Sequence, residues 1–168
     1  MLDNVANATC QTSTFDKGIM NTDVLIEEMK TEDVPAVCNF WYSLPDLDIS
    51  PSFDSVERIT EYLQRNPGLS TVARRGERIM GAVMCGHDGR RGSLYHLGVL
   101  PENRRQGIGK RLTERSLAAL REIGITTAFL FTHEKNQQAQ AFWKQAGWQY
   151  CSWIQYHCCE FKAHPANL

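Results

Sequence analysis

A chain of 168 residues has the size of one globular domain, and no second full one is expected. With 42% hydrophobic and 22% charged residues it has the composition of an ordinary soluble fold, able to bury roughly 70% of its extended surface. Its 18 Lys and Arg against 19 Asp and Glu leave a net charge of −1, which excludes a molecule-wide field for nucleic acid and makes any anion site local.

No apolar run approaches the roughly 18–20 residues of a membrane helix, and even the clean run Ala128 to Phe131 is only four residues long. The start of the chain lacks a basic segment followed by an apolar block, so no secretory signal is expected. Six cysteines at 10, 38, 85, 151, 158 and 159 are too sparse for a disulfide framework and lack paired Cys-x-x-Cys spacing. Free thiols in a reducing cytoplasm are expected, with Cys158 and Cys159 as two ordinary thiols rather than a redox pair. His157 and His164 beside them do not make metal spacing, and no metal is expected.

Residues 1–22 are polar and aperiodic and read as a loose leader. The domain is expected over 23–163, with a short tail at 164–168. Val24 to Met29 predicts a first strand, and Thr31 with Glu32 and Asp33 starts a helix through Trp41 or Tyr42, burying Val34, Val37, Cys38 and Trp41. After a loop at 44–53, Val56, Ile59, Tyr62 and Leu63 mark a second amphipathic helix, closed by Asn66-Pro67-Gly68. Leu69 to Ala73 and Ile79 to Met84 read as a hairpin joined by the polar link at 74–78. A turn over His87 to Gly92 leads to a strand from Ser93 to Leu100. A helix follows from Gly107 to about Ile123, stopped by Gly124. Thr126 to Thr132 reads as a buried strand and Asn136 to Ala146 as a helix ended by Gly147. Trp148 to Phe161 is expected to supply one or two closing strands. The order β-α-α-β-β-β-α-β-α-β-β predicts one α/β (α+β) domain, with a sheet that mixes parallel and antiparallel pairs.

The most informative stretch runs from Leu97 to Leu112, where a strand enters a glycine loop that opens a helix. The first amides of a helix lack internal partners, and its dipole contributes about half a positive charge there, so an anion is favoured. Gly107 and Gly109 allow close backbone approach, and Arg104, Arg105, Lys110 and Arg111 surround them with no acid between 104 and 113. This spacing is neither the P-loop, since Lys110 is not followed by Ser or Thr, nor the Rossmann fingerprint. A pyrophosphate cradle is one reading; a turn before a solvated basic helix face is the other.

Arg104-x-x-Gly107-x-Gly109 resembles the Arg/Gln-x-x-Gly-x-Gly/Ala motif of the GCN5-related N-acetyltransferases (GNAT), and Leu97 to Pro101 looks like the strand that precedes it there. Asn136, Ala139, Ala141, Phe142 and Gly147-Trp148 resemble the family's second motif, and the order of elements agrees from about Asp23 to Phe161. The resemblance implies a GNAT-like, mostly antiparallel sheet flanked by helices, and acetyl-CoA as cosubstrate. Its pyrophosphate would rest on the amides of Arg105, Gln106, Gly107, Ile108 and Gly109, with Arg104 and Lys110 close by. Its pantetheine would pair with a bulged strand at Leu97, Gly98 and Val99, with Asn136 and Trp143 as further contacts.

The implied reaction is attack of a primary amine (a small molecule, a peptide N-terminus or a lysine) on the thioester through a tetrahedral intermediate. Where family members carry a tyrosine acid this chain has Trp143, and where some carry a strand glutamate it has Phe131, with His133 and Glu134 only at the strand's end. The catalytic candidates are therefore Tyr95 and His96. Imidazole, with an intrinsic pKa of about 6.5, suits a base, and a phenol near 10 an acid or water relay. Strand alternation puts Ser93 and Tyr95 on one face and His96 on the other unless a bulge re-aims it. His87 and Asp88 read as turn chemistry. By resemblance the acceptor pocket is lined from Trp41, Tyr42, Asp46, Asp48, Phe53 and Trp153. An N-acetyltransferase is the first expectation, with neither nucleic acid nor membrane as partner and room for a homodimer. A non-catalytic acyl-CoA sensor or interaction module is the second, and a nucleotide-binding domain of another type the third.

Overall fold

A computed structural model of the chain describes residues 24–159. The expected leader and tail, with Phe161 and His164, lie outside the described residues. The chain packs as two compact units, one ending at Phe129 and the other beginning at Leu130; the single domain expected over 23–163 spans both.

The first unit opens with β1 (Leu25–Glu28) and a short 3-10 turn over Thr31–Asp33, in which Asp33 accepts the Lys30 N–H at 2.9 Å. Helix α1 (Val34–Tyr42) follows, with Pro35 in the first turn, where its missing N–H has no partner to lose. The expected Val34, Val37, Cys38 and Trp41 are all buried. Helix α2 (Val56–Arg65) is capped by Ser55, whose hydroxyl accepts the Arg58 N–H at 3.3 Å, and it buries Ile59 and Leu63.

Strands β2 (Thr71–Arg75) and β3 (Arg78–His87) form the predicted hairpin, but the polar link at 74–78 shrinks to Gly76-Glu77. Arg74 pairs with Ile79 and Arg75 with Arg78 in the backbone ladder, and the Arg74 guanidinium is matched by Glu27 of β1 at 3.0 Å and by Asp33. β4 (Gly92–Val99) completes three antiparallel pairings, and the sheet order is β1-β2-β3-β4-β5. Helix α3 (Ile108–Glu122) connects β4 to β5 (Ala128–Leu130), the crossover that neighbouring strands need when no hairpin joins them. β5 is three residues long and only partly buried, where a buried run over Thr126 to Thr132 was expected. Thr126 and Thr127 stay exposed and Phe131 is 56% exposed, so neither flank is drawn into the core.

Two helical layers cover this sheet. A Cβ on Gly98 would run into the Leu44 side chain and lie 3.5 Å from Phe40 and Trp41, so the end of α1 packs directly on β4 backbone. A Cβ on Gly81 would lie 3.0 Å from Leu112 and 3.3 Å from Ile108, which puts α3 on the opposite face. The core between the sheet and the first layer gathers Val34, Val37, Trp41, Ile59, Val72 and Ala82.

The second unit holds α4 (Gln137–Gln145), capped by Asn136, whose side chain accepts the Ala139 N–H at 2.9 Å. The closing strands expected from Trp148 onward are absent among residues 148–159. A local turn, with the Ile154 N–H on the Cys151 carbonyl at 3.2 Å, breaks the extended run. Tyr150, Trp153, Ile154 and Tyr156 are 63–85% exposed, so no strand partner buries them. Among the described residues no helix is long and apolar enough to cross a membrane.

Candidate active site

The register between β3 and β4 slips in mid-strand: Ala82 faces Gly98, yet Met84 faces Tyr95. Two steps along β3 thus oppose three along β4, so β4 carries one extra residue at His96-Leu97. His96 takes it up with a φ of 53°, in the left-handed region that few non-glycine residues enter, histidine among the more frequent of them. The strict alternation expected for this strand fails here. Tyr95 packs edge-on against Tyr62 of α2 at 6.3 Å, and His96 lies 5.3 Å from the ring of Trp41 on α1, so both side chains face the α1–α2 layer.

His96 has a partner that sequence reading missed. Its Nε2 lies 2.8 Å from Oδ1 of Asp54, which is only 7% exposed. The other carboxylate oxygen accepts the Ser50 N–H at 2.8 Å, and the Asp54 carbonyl accepts the Tyr42 hydroxyl at 3.4 Å. Forty-two positions separate Asp54 from His96, and no local pattern links them. The one available signal was the Asp-Ser pair opening α2, which reads simply as a helix cap.

Other titratable groups nearby are held in their neutral forms. Burial, reinforced by the charges of Asp54 and Glu57, pushes the Cys38 thiol up, and burial pushes Cys85 up to about 12. Burial likewise raises the Tyr62 phenol well above its usual range. None of the three is poised as a nucleophile or base.

Beyond the bulge, Gly98 and Val99 stay paired with Ala82 and Gly81 of β3. On the far side the Gly92 N–H donates to the Thr127 carbonyl at 2.8 Å, placing the start of β5 beside the start of β4. β5 is three residues long against the eight of β4. Leu97 is half-buried, and the Val99 carbonyl accepts Nε of Arg104 at 3.1 Å.

After the 3-10 turn Pro101–Asn103 the chain enters two left-handed residues, Arg105 at φ 62° and Gly107 at φ 79°. Gly107 is the N-cap of α3, and the first intrahelical bond runs from the Arg111 N–H to its carbonyl at 3.0 Å. The amides of Gly107, Ile108, Gly109 and Lys110 therefore precede the helical ladder, as an anion cradle requires. Nothing lies within 4 Å of a Cβ built on Gly107, so this glycine answers to backbone conformation rather than crowding. The Ile108 side chain is buried against the sheet and only its amide can serve a ligand.

The four cations expected around the glycines divide their tasks. Arg104 also bonds Asp46 at 3.0 Å, tying the α1–α2 loop to the end of β4, and Arg111 donates to the Val24 carbonyl at 3.0 Å. Arg105 and Lys110 stand exposed at the helix start, Lys110 3.7 Å from Glu114. Gln106 donates to the Glu102 carbonyl at 3.3 Å. This donor set fits a diphosphate: several amides, two exposed cations and no acidic side chain in the turn.

Of the proposed acceptor-pocket residues, Trp41 is fully buried, whereas Asp46, Asp48 and Phe53 are exposed. In the second unit Asn136 acts as helix cap, and Trp143 is buried in an aromatic group with Phe142 at 4.9 Å and Trp148 at 5.1 Å. Trp153 is exposed, and His133 accepts the Lys135 N–H in an exposed turn. Among the described residues no three His, Cys, Asp or Glu side chains gather as a metal site.

The sequence model of the Acetyltransferase (GNAT) family matches residues 37–148, more than half of the chain. An acetyltransferase of Pectobacterium atrosepticum is 36% identical over 111 residues, covering 66% of this chain and 77% of the relative. Among solved structures, an aminoglycoside acetyltransferase from an uncultured soil metagenomic sample, in complex with sisomicin, has a TM-score of 0.67 at 18% identity. That match covers 84% of this chain and 99% of the other. The PaiA N-acetyltransferase of Thermoplasma acidophilum, in complex with coenzyme A, has a TM-score of 0.63 at 17% identity over 73% of this chain and 87% of its own. At these identities the structural likeness is one of fold.

Proposed function

The chain belongs to the GNAT acetyltransferase family, and from that premise we propose that it transfers an acetyl group from acetyl-CoA to a primary amine. The acceptor is a small molecule, a peptide N-terminus or a lysine. The observation that carries this reading is the bulge: it turns the His96 imidazole toward the α1–α2 layer, on the strand that leads into the left-handed turn of Arg105 and Gly107.

In this reading the coenzyme's diphosphate is bound by the amides of residues 105–109 with Arg104, Arg105, Gln106 and Lys110 around it, and its pantetheine by Leu97, Gly98 and Val99. By resemblance to the family's second motif, Asn136 and Trp143 are further candidates for holding the coenzyme. The amine nitrogen forms a bond to the thioester carbon, the tetrahedral intermediate collapses, and the C–S bond breaks with its electron pair leaving on sulfur. His96 takes the proton that the nitrogen sheds, and Tyr95, directly or through water, supplies one to the departing thiolate. With Trp143 unable to act as an acid, the proton-transfer task falls to β4.

Thiol release measured with acetyl-CoA over a panel of primary amines tests the assignment. Turnover with at least one amine, lost in His96→Gln while coenzyme A binding persists by calorimetry, is the expected outcome. Thermal protection by acetyl-CoA without acetylation of any amine would instead identify a coenzyme-binding module that does not turn over.

A further inference from the structure

We propose that Asp54 is a positioning residue that fixes which ring nitrogen of His96 carries the proton, an inference resting on the reading of His96 as the proton acceptor. The carboxylate is anchored before it meets the imidazole. Its Oδ2 accepts the Ser50 N–H at 2.8 Å, and the loop closes on itself through the Asp54 and Phe53 amides, which donate to the Ser50 carbonyl at 2.8 and 3.0 Å. Its Oδ1 is then left 2.8 Å from His96 Nε2. An ionised carboxylate only accepts hydrogen bonds, so the neutral imidazole must hold its proton on Nε2 and donate it. The lone pair that can take up a proton is thereby placed on Nδ1.

The imidazole is constrained by more than this bond. Trp41 packs against it from α1 and Tyr95 borders it along β4, 6.4 Å between ring centres, while the bulge holds the backbone at φ 53°. Among the described residues, Asp54 and Tyr95 are the titratable groups that touch or border the ring. Cys38 of α1 and Glu57 of α2 lie in the electrostatic reach of that neighbourhood, with Asp54 and Glu57 both acting on the Cys38 thiol.

The anchoring gives an unusual expectation for Asp54→Asn. The Ser50 N–H is a backbone donor and cannot change role, so it claims the single carboxamide oxygen. The carboxamide NH2 then faces Nε2, which must become an acceptor, and the ring proton moves to Nδ1. One negative charge is removed, the loop bond is kept, and the tautomer is inverted.

The test is long-range 1H–15N NMR of the full chain labelled on histidine, at a pH where free imidazole is neutral, with the His96 signals identified by their absence in His96→Gln. The wild type is expected to show the Nε2–H tautomer and Asp54→Asn the Nδ1–H tautomer. With an amine that the wild type acetylates, Asp54→Asn is expected to lose about 100-fold or more in kcat at unchanged KM for acetyl-CoA and unchanged coenzyme A affinity. A wild-type spectrum with the proton on Nδ1 overturns the inference without any variant, so a failure of Asp54→Asn to fold does not shelter it. An Nε2–H tautomer retained in Asp54→Asn overturns it as well, whereas an inverted tautomer with wild-type turnover overturns instead the reading of His96 as the proton acceptor. If the wild type acetylates no amine, the proposed reaction fails on its own, while the spectra still decide whether Asp54 sets the tautomer.

Discussion

Gly107 sits at φ 79° and ψ 0°, and a methyl group added there would touch nothing within 4 Å. Gly107→Ala therefore meets a conformational penalty and no steric one. Holding an L-residue in the left-handed region costs roughly 1–2 kcal/mol, a sizeable part of a typical domain stability of about 5–15 kcal/mol. The variant can respond in two ways. If it keeps the turn, its urea stability falls by about 1–2 kcal/mol with an unchanged denaturant slope, and the cradle amides stay in place. If it relaxes to negative φ, stability is partly recovered, but the amides of residues 107–110 rotate away from the position that a diphosphate needs. Urea melts with and without coenzyme A separate the two, because a ligand at 100 times its Kd adds about 2.7 kcal/mol to the apparent stability. In the first case that increment survives and the baseline drops; in the second the increment shrinks. A variant with wild-type stability and the full coenzyme increment would refute both the backbone argument and the cradle built on it.

Gly98→Ala is expected to lose about 1–3 kcal/mol by over-packing, because its Cβ would run into the Leu44 side chain; an unchanged urea midpoint would show that α1 does not bear on β4 backbone. Asp88 accepts the amides of Arg91 at 2.7 Å and Arg90 at 2.8 Å, and these bonds hold its pKa down to about 2 from an ordinary 3.8. A folded pKa below the unfolded one means that the turn's stabilisation is present above about pH 3.8 and is lost as pH falls toward 2; a carboxyl 13C titration of Asp88 with its midpoint near 3.8 would contradict this.

What sequence periodicity could reach was largely local. The faces of α1 and α3, the hairpin and the glycine-led helix start all follow from residues within a turn or two of each other, and the boundaries of those elements fall within three positions of expectation. Arg74, Arg75 and Arg78 lie in strands although charge counts against strand, because the ladder depends on the backbone, and Arg74 finds carboxylate partners in Glu27 and Asp33. The run from Trp148 failed for the opposite reason: its apolar residues suggested strands, but pairing is a tertiary event that composition cannot guarantee. In the candidate site, the left-handed turn and helix start at Gly107 were legible because their glycines and cations lie in one contiguous stretch. The division of labour among Arg104, Arg105, Lys110 and Arg111 was not, since Asp46 and Val24, which claim two of them, come from distant parts of the chain. Asp54 lay one residue past the loop positions considered, and only the α1–α2 layer brings it to His96.

The bulge decides whether His96 and Asp54 can meet at all, and comparing His96→Gly with His96→Ala reads it directly. Both variants lose the contact with Trp41 and leave Asp54 Oδ1 without the imidazole, so those losses cancel in the difference between them. In a regular strand alanine is the more stable of the two by roughly 0.5–1 kcal/mol, because glycine loses more backbone freedom on folding. At φ 53° the order should invert, since alanine there carries a left-handed penalty of roughly 1–2 kcal/mol that glycine escapes. Chemical denaturation of the pair should thus find His96→Gly ahead by up to about 1 kcal/mol. Should alanine prove the more stable, residue 96 would occupy ordinary strand geometry. Alternation would then return its side chain to the face opposite Tyr95, away from the α1–α2 layer, and Asp54 would have no imidazole to orient.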